Sequence, residues 1–137
     1  MSFLGGFWGI VSIILMIGAL SRMVGVGFYN KFIRGLSKKK HKGLINATIN
    51  TNNILEDNHG IFASGALISA VIHIIIMKRS ITFSFLGFST IGALLFVVLT
   101  GVINKFIYRD NGGELRKYHK RGIIVLIFFL ILHMIFN

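Results

Sequence analysis

The amino-acid sequence predicts an all-α fold: an integral membrane four-helix bundle with both termini outside the cytoplasm. The chain has 137 residues, a mean hydropathy of +0.77 and no proline, and its apolar residues form long blocks. A helix needs about 20 mostly apolar residues to cross a hydrocarbon core of ~30 Å. Four blocks reach or approach that length, so we expect a single four-span domain over residues 1–137.

The four spans are expected at about residues 3–21, 59–78, 81–104 and 115–136. No charged segment precedes the first span, so a cleaved signal peptide is not expected. Residues 23–36 mix apolar and basic side chains, and two alternatives stay open for them: they continue the first helix into the cytoplasm or lie on the lipid headgroups. Residues 46–53 are polar and lead into the second span.

The basic residues predict the orientation of the spans. Thirteen of the 15 lie between span one and the apolar run 61–77 of span two, or between span three and the apolar run 122–136 of span four, whereas Lys78 and Arg79 lie on the opposite side. Cytoplasmic segments of membrane proteins are enriched in Lys and Arg. We therefore expect an integral protein of a bacterial cytoplasmic membrane, with the lipid bilayer as a partner. Topology explains the net charge of +11, so no nucleic acid is expected.

The histidines form a regular pattern. His59 and His73 lie 14 residues apart on span two, and His119 and His133 lie 14 apart on span four. At about 100° per residue, fourteen residues turn ~1400°, close to four full turns, and rise ~21 Å. Each pair therefore lies on one helix face. The fifth histidine, His41, lies in a basic run and is expected to be solvated.

Matching depths on spans two and four predict two haem sites. Both spans run outward, so His59 and His119 share a level near the cytoplasm, and His73 and His133 share a level near the outside. Two imidazoles at one depth can ligate a haem between two helices. The chain has no cysteine, which excludes covalent c-type haem, thiolate metal sites and iron–sulfur clusters of its own. The predicted metal ligands are these four histidines, and the predicted cofactors are two non-covalent b haems.

Further residues are predicted to contact the haems. Gly87 and Gly101 on span three also lie 14 apart, at the depths of His73 and His59, and are expected to leave space for the macrocycles. Arg22 and Lys105, at span ends, are the best-placed cations for the propionates of the inner haem. The candidates for the outer haem are Lys78, Arg79, Ser80 and Thr82.

The arrangement of ligand pairs on the second and fourth of four helices resembles the N-terminal half of the cytochrome b/b6 proteins of quinol-oxidising complexes. The resemblance covers nearly all of the chain and rests on spacing and topology. It implies two b haems stacked across the membrane between these helices. The Pro-Glu-Trp-Tyr signature of that family's quinol site is absent, because the chain has no proline. The resemblance therefore extends to the haem ligands and not to the quinone sites.

The predicted function is transmembrane electron transfer between a quinol or redox partner and an acceptor at the opposite face, with no catalytic residue assigned. Two alternatives stay open: a terminal reductase of ferric iron, oxygen or superoxide at the outer haem, and a small transporter or assembly subunit whose histidines handle protons or a metal. A redox partner subunit or a second copy of the chain is expected as a partner. Quinone is an open candidate ligand.

Overall fold

The computed structural model describes residues 3–77, 85–107 and 113–136. Within these ranges the chain forms four α-helices: α1 (Phe3–Phe28), α2 (Lys42–Met77), α3 (Phe85–Phe106) and α4 (Gly113–Phe136). A π-helical segment, Tyr29–Ile33, continues directly from α1. The predicted all-α class is confirmed, and all four helices are long and apolar enough to cross a membrane.

The helices follow from composition. Their most apolar stretches have mean hydropathies between 1.8 and 2.3, and no proline removes a backbone donor or clashes with the preceding turn. Large apolar side chains point outward along every helix, for example Ile14 at 62% exposed, Ile75 at 63% and Ile124 at 69%. Such surfaces suit lipid, in which apolar exposure carries no penalty and each helix satisfies its own backbone groups. The chain is accordingly a membrane protein.

The first two helices are longer than the predicted spans. Residues 23–33 continue the first helix, which is one of the two alternatives that the sequence left open. Helix α2 begins at Lys42 and includes the polar residues 46–53. Thr48 and Thr51 direct their hydroxyls to the carbonyl oxygens four residues earlier, at 2.8 and 3.0 Å, so these side chains bond to their own helix.

Two compact units divide the chain: Ile10–Ala66, and Met1–Gly9 together with Leu67–Asn137. The first, the hairpin unit, contains most of α1, the π-helical segment and residues 42–66 of α2. The second, named the outer unit after the predicted level of His73 and His133, contains the start of α1, the end of α2, and helices α3 and α4. The single domain expected from the sequence stays a prediction.

Each unit has its own close helix packing. In the hairpin unit, the buried Ser12 hydroxyl donates to the Ala66 carbonyl at 2.9 Å, which ties α1 to α2. In the outer unit, α3 and α4 approach closely at Gly122, where an added Cβ would come within 3.0 Å of side-chain atoms of Phe96 and Val97. Small residues at such contacts allow the backbones of membrane helices to come together.

Candidate cofactor site

His73, on α2 in the outer unit, is held by helix α1. Its Nδ1 lies 2.7 Å from the carbonyl oxygen of Gly5. One turn further along α1, Gly9 faces the same imidazole: a Cβ at Gly9 would come within 3.1 Å of Nδ1 and 3.2 Å of Cε1. The ring therefore occupies space that only a glycine leaves on this face of α1.

His133, on α4, belongs to the same unit as His73. The two imidazoles are close enough to interact electrostatically. The Nδ1 of His133 is buried, and no hydrogen-bond partner for it is found within the described part of the chain. The structure thus brings together the two histidines that the sequence assigned to the outer level, and one of them carries an unsatisfied buried nitrogen.

His119, also on α4, is held by helix α3. Its Nδ1 lies 3.0 Å from the carbonyl oxygen of Val97 and 3.2 Å from the hydroxyl oxygen of Thr100. Gly101 packs against the ring, since an added Cβ would come within 3.1 Å of Cε1. A carbonyl and a glycine four residues later thus hold His119 on α3, as Gly5 and Gly9 hold His73 on α1.

His59 lies in the hairpin unit, where α1 again supplies the acceptor. Its Nδ1 lies 2.9 Å from the carbonyl oxygen of Ala19. About one helical turn away, Arg22 on α1 and Glu56 on α2 form an ion pair at 2.7 Å. Because His59 and His119 fall in different units, their pairing at one level stays a prediction from the sequence.

The carbonyl contacts determine which ring nitrogen carries the proton. A carbonyl oxygen can only accept a hydrogen bond, so Nδ1 must be the donor in His59, His73 and His119. In a neutral imidazole the lone pair then resides on Nε2, the atom that binds a metal. Histidine ligands in metalloproteins usually donate their other N–H to such an acceptor, which fixes the tautomer and the ring plane. Three of the four predicted ligands therefore carry the proton on Nδ1 and the lone pair on Nε2.

The acceptor positions repeat with the period of the histidines. Gly5 and Ala19 on α1 lie 14 residues apart, as do His73 and His59 on α2. On α3, the position 14 residues before Val97 is residue 83, which lies outside the described residues. The glycines of span one show no 14-residue repeat. The repeat is in the backbone carbonyls, which carry no sequence signal of their own.

The two predicted glycines have different outcomes. Gly101 makes room for the imidazole of His119, and its predicted role beside a macrocycle stays a prediction. Gly87 lies in the first turn of α3 and is half-buried, at the position 14 residues before Gly101. Sequence reasoning missed Gly9. Gly9 lies four residues after the carbonyl of Gly5, as Gly101 lies four residues after that of Val97, but the sequence does not show which carbonyls act as acceptors.

The predicted propionate partners are only partly described. Arg22 is engaged with Glu56, and Lys105 lies on the surface with its Nζ 5.8 Å from the centre of the Phe106 ring. The four outer candidates, Lys78, Arg79, Ser80 and Thr82, lie outside the described residues. Asn104 has a buried Oδ1 without a hydrogen-bond donor among the residues that the structure describes; because this oxygen only accepts hydrogen bonds, it is not a partner for a propionate. This side chain follows Gly101 by three residues on α3.

The donor set suits a cofactor that brings its own equatorial ligands. No group of three or more His, Cys, Asp or Glu side chains that could hold a bare metal ion occurs in the described ranges. Two imidazoles per level are what a bis-histidine haem requires, because the porphyrin supplies the other four nitrogens. Comparison of the chain with family models, with curated proteins and with solved structures finds no match.

Proposed function

We propose that this chain is a b-type membrane cytochrome that transfers electrons across the bilayer between a quinol or redox partner and an acceptor at the opposite face. Two non-covalent haems would be held by His73 with His133 and by His59 with His119. The observation that carries the proposal is the Nδ1–carbonyl contact shared by His59, His73 and His119, at 2.7–3.0 Å. Each contact places the proton on Nδ1 and the lone pair on Nε2, the ring atom that would bind iron.

A simpler explanation of the contacts is that each one satisfies a buried histidine. A membrane-buried imidazole needs a hydrogen-bond partner in any case. That explanation does not account for His133, whose Nδ1 is buried without a partner in the described part of the chain although it lies near His73. The imidazole of His133 lies near that of His73 although its own Nδ1 gains no hydrogen bond within the described residues. This arrangement favours a ligand shared by the two histidines.

The protein's contribution is to hold and orient the four imidazoles and to exclude water. A haem bound between two imidazoles has no open coordination position and supplies one-electron transfer. The carbonyls of Gly5, Ala19 and Val97 fix the ring planes of their histidines, because a rigid helix backbone carries each acceptor. The apolar helices around the rings would keep water out. Exclusion of water helps to retain a haem that is not covalently bound and sets the polarity of the site.

The test is the haem content and spectrum of the full chain purified after expression with ample haem. We expect a b-type reduced-minus-oxidised spectrum with two haems per chain. His73→Ala and His133→Ala should each remove one haem, and the same one, while His59→Ala and His119→Ala should remove the other. His41→Ala is the matched control, because His41 lies in the basic run, and it should keep both haems. A colourless protein, or a loss that follows a different pairing, contradicts the proposal.

A further inference from the structure

The hairpin formed by α1 and α2 is too long to lie within a bilayer. The first helix and its π-helical continuation, Phe3–Ile33, have 31 residues, and α2 has 36. At ~1.5 Å per residue these segments measure about 46 and 54 Å, against a hydrocarbon core of ~30 Å. Tilting would have to reach roughly 50–55° to bury them, beyond the 0–40° that membrane helices adopt. Part of the hairpin must therefore lie outside the hydrocarbon.

The excess length lies at the closed, cytoplasmic end of the hairpin. The ion pair of Arg22 with Glu56, whose side chains are 38% and 60% exposed, marks a level at which charge is tolerated. Beyond it α1 and α2 remain together: Gly25 faces the side chain of Asn52. At the closed end Ile33 and Ile45 are both buried, at 3% and 9% exposure. The hairpin therefore keeps its own packing down to its tip.

The tip carries a dense positive charge at a distance from the membrane. We define the basic tip as six exposed side chains: Lys31, Arg34, Lys38, Lys39, Lys40 and Lys42. No Asp or Glu occurs between Met23 and Leu55. From Arg22 to Ile33 the helix rises about 16 Å, whereas the headgroup layer adds only ~5–8 Å per leaflet. The basic tip thus lies roughly one Debye length, ~8 Å, beyond the headgroups, where salt weakens its attraction to charged lipid.

Aromatic side chains accompany the basic tip. Phe28 and Phe32 are 50% and 55% exposed, and their ring centres lie 5.2 Å apart. The Nζ of Lys31 lies 5.4 Å from the centre of the Phe32 ring. Exposed aromatic rings beside cationic side chains are typical of protein interfaces, whose cores are enriched in aromatic residues. This combination favours a protein partner over a purely electrostatic contact.

From the length of the hairpin and the charge at its end, we propose that the basic tip docks an acidic, water-soluble redox protein at the cytoplasmic face. The redox identity of that partner rests on the proposed function, since electrons must enter or leave at this face. The negative surface of the partner would be steered to the tip by long-range attraction, which raises association rates more than it raises affinity. The exposed pair of phenylalanines would form the apolar contact.

The test measures binding of flavodoxin, an acidic electron-transfer protein, to the full chain in nanodiscs of zwitterionic lipid. The test variant changes Lys38, Lys39, Lys40 and Lys42 to Gln, and the matched control changes the same four to Arg. We expect the Gln variant to bind about tenfold more weakly at low salt, and the Arg variant to bind as the unmodified chain does. Raising the salt should weaken binding of the unmodified chain and of the Arg variant far more than that of the Gln variant.

Three results overturn the proposal: no binding of flavodoxin, equal binding of the Gln and Arg variants, or a stronger tip-dependent affinity for another probe. The other probes are vesicles with 30% anionic lipid and a single-stranded RNA. Binding is measured without reference to haem, so this test is separate from the proposed function. A colourless chain that still binds flavodoxin through the tip contradicts the cytochrome and leaves the docking surface standing. A chain that binds two haems but does not bind flavodoxin supports the cytochrome and contradicts the docking surface.

Discussion

Substituting Gly9 by alanine is expected to disturb one histidine without unfolding the protein. The added Cβ would lie 3.1 Å from Nδ1 and 3.2 Å from Cε1 of His73, whereas heavy atoms in good contact are ~3.5–4.0 Å apart. The imidazole must therefore move by about 0.4 Å. Its hydrogen bond to the Gly5 carbonyl, now 2.7 Å, would lengthen towards the limit of ~3.2 Å for an N–H···O bond.

The effect on stability and the effect on the cofactor should differ. Alanine in place of a helical glycine stabilises a helix by about 1 kcal/mol, and the weakened hydrogen bond costs a similar amount. The free energy of unfolding should thus change by less than ~1 kcal/mol. Loss of the partner that orients a metal-binding histidine, by contrast, typically weakens metal binding by about 10–100-fold. We expect the haem at His73 to be lost or loosened by that factor.

The assay is haem retention by purified protein during titration with apomyoglobin, followed by absorbance, with electron paramagnetic resonance to report the angle between the ligand planes. Gly6→Ala is the control, since a Cβ there meets nothing within 4 Å and the helix gains the same propensity. The control should keep both haems with unchanged spectra. If Gly9→Ala and Gly6→Ala retain both haems equally, Gly9 does not position His73.

Three further substitutions test the packing, each by the free energy of unfolding of the haem-free protein in detergent. Arg22→Gln should lower the free energy of unfolding by no more than about 1 kcal/mol, because the ion pair with Glu56 is partly exposed. A larger decrease would show that the pair is structurally essential. Asn104→Leu removes a buried oxygen that has no hydrogen-bond donor among the described residues. The free energy of unfolding should therefore stay unchanged or rise by about 1 kcal/mol, and a clear decrease would show that the oxygen has a partner. Gly122→Ala should lower it by about 1–3 kcal/mol, because the Cβ would meet α3 at 3.0 Å. Gly92→Ala is the control, because a Cβ at Gly92 would meet open space, and it should not lower the free energy of unfolding. Equal effects of Gly92→Ala and Gly122→Ala would contradict the close packing of α3 and α4.

Much of the fold was accessible from the sequence because it depends on local composition. Long apolar blocks without proline predict membrane-length helices, and α3 and α4 end within a few residues of the predicted spans 81–104 and 115–136. The start of α2 at Lys42 was not predicted. Polar residues 46–53 have no apolar run to mark them as a helix, and the contact of Asn52 with Gly25 of α1 is visible only in the tertiary structure.

The candidate site divides in the same way. The positions of His59, His73, His119 and His133 follow from helical periodicity, which a sequence displays directly. Their anchoring does not, because the acceptors are backbone carbonyls that every residue possesses. Only the pairing of α1 with α2, and of α3 with α4, decides which carbonyl meets which ring. For the same reason Gly9 could not be singled out among the glycines of the first helix.

The sequence by itself determined that this chain forms membrane-length helices and carries two histidine pairs with a common spacing, because hydropathy and helical period are local properties. Only the tertiary structure decided that Nδ1 of three histidines donates to a neighbouring helix, since that depends on the register between helices. It also decided that the basic residues 31–42 cap a packed hairpin. The sequence displays the sign of their charge, whereas their position at the closed end of the hairpin depends on how α1 packs against α2.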